Sequence, residues 1–201
     1  MGRAMHRVCF GLALLVGSAL GFVIGSGVAG AAPTASADIS GGTLTISAPG
    51  SFAWNDTLSG SNQTVVAPMT VTVIDATGSG AGWTTDASMT PLRDTTTGAA
   101  LTGTVHVNGS ATSGTATTGP AAVCGANSTC RLPTPSASPV TYPHIIPEGT
   151  PAPTANAFAT AAAASGMGTI KLPLNAWLHI KADTYAGTYT ATVTISVVSG
   201  P

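Results

Sequence analysis

Apolar and polar residues alternate almost without a break from Thr188 to Val198. Tyr189, Ala191, Val193, Ile195 and Val197 fall on one side, and Thr188, Thr190, Thr192, Thr194 and Ser196 on the other. A period of two is the signature of a strand, whose successive side chains point to opposite faces of a sheet. One apolar face and one hydroxyl face predict a sheet packed on one side and hydrated on the other. The same rhythm recurs upstream. Thr43 to Ser47 alternates and stops at the turn signal Pro49-Gly50, and Phe52, Trp54 and Leu58 mark a second alternating piece. Val65-Val66 and Met69 to Ile74 predict a further strand, with Pro68 marking a bulge or an edge between them. Trp83 to Met89 resumes after a glycine-rich loop, with Val71, Val73 and Trp83 facing inward across that hairpin. Leu101 to Val107 closes at the turn dipeptide Asn108-Gly109. Ala157 to Ala164, Thr169 to Leu174 and Trp177 to Ile180 complete the set. The pattern predicts an all-β fold, an antiparallel β-sandwich of about nine short strands. Residues 110–154 interrupt it as a long, low-complexity, Pro/Thr/Ser-rich irregular insertion.

Composition sharpens this picture. Charged residues are 6% of the chain, against roughly 25% in an ordinary globular protein, and 44% of residues are hydrophobic. Disorder combines low hydrophobicity with high net charge, so the scarcity of charge points instead to a sheet surface hydrated by Thr and Ser hydroxyls. Arg3, His6 and Arg7 precede an uncharged apolar run from Val8 to Ala32, followed by small residues at Ala29-Gly30-Ala31 and again at Ala35-Ser36-Ala37. A basic start, an apolar centre and small residues before a cleavage point define a secretory signal peptide. Residues 1–31 are expected to be removed, with cleavage after 37 as the alternative, leaving a domain over 38–201. The mature protein is then expected to be secreted, extracellular or wall-associated, with no membrane segment. Removal of both leader arginines leaves four cations against seven anions. That balance excludes a basic platform for nucleic acid.

Candidate chemistry is sparse. Cys124 and Cys130, with five residues between them in an exported chain, are expected to form a disulfide. His106, His144 and His179 are scattered, with no pair at metal-ligand spacing, so neither a metal nor a cofactor is expected. The carboxylates are isolated in sequence, no Gly-x-Ser-x-Gly elbow occurs, and no catalytic residue is assigned. Asp75, before the glycine-rich loop, is expected to cap its own turn. Among the aromatic residues, an exposed ring can stack on the C–H face of a sugar while neighbouring hydroxyls bind its OH groups.

Asp75-Ala76-Thr77-Gly78-Ser79-Gly80-Ala81-Gly82-Trp83-Thr84-Thr85 and the closing Tyr185 to Pro201 resemble the WxL domain family of Gram-positive surface proteins, in a divergent, actinobacterial form. Gly166-Met167-Gly168-Thr169 and Leu172-Pro173-Leu174 belong to the same likeness, which runs from about Gly41 to Pro201 outside the insertion. Trp83 matches the first tryptophan of the family, whereas Thr85 stands at its leucine. Ile195 and Val197 stand at the second Trp and Leu. The resemblance implies a secreted, non-catalytic β-domain attached non-covalently to the cell wall through peptidoglycan. No Leu-Pro-x-Thr-Gly sorting motif occurs. Trp83, Trp177 and Tyr185 are the expected contacts for wall glycan. The alternative expectation is an interaction or structural subunit of a surface assembly, meeting partner proteins through the Pro-rich insertion.

Overall fold

The computed structural model describes residues 36–201, so the expected leader over 1–31 lies outside the described residues. Every regular element among the described residues is a strand, and every strand pair is antiparallel. In chain order the strands are β1 (Leu44–Ser47), β2 (Gln63–Asp75), β3 (Trp83–Met89), β4 (Arg93–Asp94), β5 (Val105–Asn108), β6 (Val123–Cys124), β7 (His144–Ile145), β8 (Asn156–Ala161), β9 (Gly168–Ile180), β10 (Tyr189–Thr190) and β11 (Val193–Ser199). Sheet one has the order β1-β2-β9-β5-β7, and β6 pairs with β9 beside β5. Sheet two is β11-β3-β8, and β10 with β4 forms a two-stranded ribbon.

The backbone of sheet one is the β2–β9 ladder, which pairs Gln63 with Ile180 at one end and Asp75 with Gly168 at the other. Two of the expected strands, Thr169 to Leu174 and Trp177 to Ile180, are therefore one strand. Both long strands contain a proline, and topology explains the tolerance. β1 covers only Thr72 to Asp75 of β2, so Pro68 lies on an open edge where no partner needs its missing N–H. On the far side of β9, β6 takes Ile170 and Lys171 and β5 takes Asn175 to Leu178. Pro173 falls in the gap between them.

Alternation decides the core as the sequence indicates. Val71, Val73, Ile170, Leu172 and Leu174 of sheet one are buried against Trp83, Ala87 and Met89 of β3, with Phe158 beside them. Consecutive Phe158 and Ala159 are both buried because the β3–β8 register shifts between Thr85 and Asp86. Such a bulge turns an extra residue inward. Thr85 is fully buried there, and its hydroxyl donates to Ala159 O at 3.0 Å, which satisfies a polar group otherwise costly in a core.

Three expectations change. Phe52 and Trp54 do point inward, but residues 48–62 form a loop with no strand. The closing strand is interrupted at Ala191-Thr192, where the ladder passes from β4 to β3 across Pro91, a residue with no N–H to donate. The segment 110–154 supplies β6, β7 and the core residue Ile146, so it is part of the sheet as well as a loop.

Candidate functional site

Sheet two ends in β11 and sheet one in β1, and these two edges approach each other closely. Past the end of β1, the loop 48–58 and the segment from Thr184 to Ala191 frame an opening. The inward residues of β11, from Val193 to Val197, are only half-buried, as are Leu44 and Ile46 of β1, whereas those of the central strands are buried completely. The opening leads into a cleft of about 1160 Å³. Its floor is apolar, with Met69, Met89, Leu92, Leu101 and Leu178, and its walls are the loop 48–58 and the segment from Thr184 to Ala191. Pockets for drug-sized ligands run to about 1,000 Å³, so this one has room for an extended, oligomeric ligand.

Aromatic rings shape the cleft. Phe52 and Trp54 meet edge to face with centroids 5.0 Å apart, and Trp54 Nε1–H donates to Ala176 O at 2.9 Å. Those two rings tether the loop 48–58, which otherwise bonds through side chains. Gln63 ties it at the far end, donating from Nε2 to Asp56 Oδ2 at 2.7 Å and to Thr57 O at 2.9 Å. On the opposite wall Tyr189 O–H donates to Tyr185 O at 2.9 Å, which fixes the turn and leaves the Tyr185 ring 83% exposed at the rim. Thr184 Oγ1 is buried in this wall without a hydrogen-bond partner. Asp56 is the sole charged residue lining the cleft among the described residues. The arrangement offers an exposed aromatic ring and an almost neutral lining.

The three sequence-derived contact residues separate. Trp83 is completely buried, with Nε1–H donating to Gly166 O at 2.8 Å. Gly166 has φ +71°, and a Cβ there would lie 2.5 Å from Trp83 Nε1, so glycine is required for the indole to seat. Neither face of that ring is open to a sugar. Trp177 points to the outer surface of sheet one, as its register predicts, yet it is 7% exposed. The start of the insertion covers it: Gly114 lies against the indole, and Nε1–H donates to Asn108 Oδ1 at 2.9 Å. Tyr185 alone of the three is exposed, and it lines the cleft. Phe52, Trp54 and Tyr189 also line the cleft, although in sequence the alternate spacing of Phe52 and Trp54 reads as strand packing.

Elsewhere the polar residues serve the scaffold. Cys124 and Cys130 form the expected disulfide, and the flanking backbone docks on the start of β9 through Gly125 N–H to Thr169 O at 2.8 Å. Asp75 accepts from Thr77 N–H at 3.0 Å and from its hydroxyl at 2.7 Å, capping its own turn as expected. Asp94 organises a second such turn. Bonds from Thr97 N–H and the Thr97 hydroxyl hold its carboxyl below the usual carboxylate value. Tyr142 donates to Phe158 O at 2.6 Å, and burial pushes its hydroxyl up to about 12. Burial lowers His144 and raises Glu148. Compared with family models, with curated proteins and with solved structures, the chain matches none.

Proposed function

We propose that this protein is an exported, non-catalytic module of the cell surface that associates non-covalently with cell-wall glycan through the cleft between the loop 48–58 and the segment from Thr184 to Ala191. The observation that carries the reading is the exposed Tyr185 ring at the mouth of a large, nearly uncharged cleft. A neutral polysaccharide needs no counter-charge. It binds by laying C–H faces on aromatic rings and pairing hydroxyls with side-chain and backbone polar groups. Tyr185 supplies the ring, and the loop 48–58 a wall that aromatic anchors hold. The leader-like start of the chain and the disulfide support an oxidising, extracellular setting. The WxL-like loop before Trp83 supports the wall as the destination.

A sedimentation assay with purified cell walls tests this. Wild type is expected to pellet with the walls, and Tyr185→Ala to remain in the supernatant with an unchanged unfolding midpoint. Wild type that stays soluble at every wall concentration ends the proposal. A second reading, a subunit that meets partner proteins through the insertion, is favoured by exposed Val123, Leu132 and Ile145 on that segment. It predicts that charged substitutions at those three positions abolish partner capture while wall binding is retained.

A further inference from the structure

The fold brings two histidines together that sequence spacing keeps far apart. His106 lies on β5 and His179 on β9, where His179 N–H donates to Thr104 O at 3.3 Å, so the two residues are diagonal neighbours across the ladder. Both point outward and are half-buried. Their ring centroids lie 4.7 Å apart, with the planes tilted by 58°. Each ring has one nitrogen engaged by a threonine hydroxyl: His106 Nε2 by Thr104 Oγ1 and His179 Nδ1 by Thr64 Oγ1, both at 3.0 Å. That leaves His106 Nδ1 and His179 Nε2 without protein partners.

We propose that His106 and His179 form a two-imidazole site for a divalent late first-row transition ion, completed by water. The spacing fits. With metal–nitrogen bonds of about 2.0–2.1 Å, two imidazoles sharing one ion at tetragonal to tetrahedral angles have centroids roughly 4.5–5.2 Å apart. The hydroxyls fit as well. A ligating histidine donates its other N–H to a fixed acceptor, which sets the tautomer and aims the lone pair at the metal. With Thr64 and Thr104 accepting those protons, both free nitrogens present lone pairs to the ion. Imidazole pairs with open positions suit Cu²⁺, Ni²⁺ and Zn²⁺, with Cu²⁺ held most tightly. The site lies on the outer face of sheet one, away from the residues that line the cleft, and stands independently of glycan binding.

Titration with zinc chloride, followed through the histidine ring nitrogens by NMR, tests the assignment and resolves the pair from His6 and His144. The expected result is saturable perturbation of His106 and His179 together at one equivalent, with His144 unmoved. Calorimetry with copper chloride should show that His106→Gln or His179→Gln reduces the affinity to that of a lone surface imidazole. Thr64→Val, which removes an orienting hydroxyl and leaves both ligands, should weaken binding roughly tenfold. If the two rings do not respond, or if either single Gln variant binds as tightly as wild type, the pair is a stacking contact and the proposal falls.

Discussion

Asn108 offers the sharpest test of how the insertion is held. Its side chain is completely buried and makes every hydrogen bond that an amide can make at once. Nδ2 donates to Ser113 O at 2.9 Å and to Ala116 O at 3.2 Å, and Oδ1 accepts from Ser110 N–H at 3.0 Å and from Trp177 Nε1–H at 2.9 Å. Replacement by alanine orphans four groups. The three on the loop recover part of the loss by turning to water, because the loop is free to loosen. The indole N–H is fixed to β9 and recovers nothing until the loop lifts. Each buried group left unpaired costs about 1–3 kcal/mol, so Asn108→Ala should destabilise by about 2–5 kcal/mol. With a mid-range urea slope of about 2 kcal/mol per molar, the midpoint should fall by about 1–2.5 M. Asn108→Asp keeps both acceptor bonds, loses both donor bonds and buries a charge, so it should be no better tolerated. Proteolysis of native protein with a broad-specificity protease should cut between residues 110 and 120 in Asn108→Ala much faster than in wild type. A wild-type urea midpoint together with wild-type proteolysis would refute the claim that Asn108 pins the insertion over Trp177.

Two further outcomes follow from the same kind of reasoning. Trp83→Phe keeps most of the buried ring but strands Gly166 O, and should cost about 1–3 kcal/mol in urea unfolding. Its wall sedimentation should remain unchanged, and selective loss of sedimentation with full stability would return Trp83 to the binding surface. Asp94 titrates below the usual carboxylate value because Thr97 bonds its charged form. A depressed folded value contributes stability that is present above the unfolded value and is lost as pH falls through the folded one. Asp94→Asn should therefore lower the thermal midpoint at about pH 7, and the gap to wild type should be smaller at about pH 3. A gap of equal size at both pH values would show that the charge is irrelevant.

Much of the sandwich was legible in the chain because alternation is a local signal. The bounds of β3, the half-buried face of β11 and the inward set Val71, Val73 and Trp83 follow from side-chain parity alone. Asp75 capping its own turn is equally local. What parity cannot supply is the cover on a strand's second face. Trp177 points outward as its register requires, and it is buried because Gly114 and Asn108 lie over it from the insertion. Phe52 and Trp54 show the converse, since an extended loop can send every second residue inward without any ladder. The cleft was illegible for a related reason. Its walls, the loop 48–58 and the segment from Thr184 to Ala191, come from stretches remote in sequence. The meeting of His106 with His179 likewise needed the β5–β9 register.

The prolines in the two long strands bear on how the protein is made. β2 emerges early, yet its ladder partner β9 comes only after everything from Trp83 to Met167 has been synthesised. Pairing so remote in sequence is slow, and a long unpaired apolar strand is exposed to misassociation throughout the wait. Pro68 blocks continuous backbone pairing along one side of β2, and Pro173 does the same for β9 once it appears. Thr64, Thr70 and Thr72 on the alternate positions of β2 keep part of its other face wettable during that interval. The residues that make these strands look imperfect protect the nascent chain until its partner arrives.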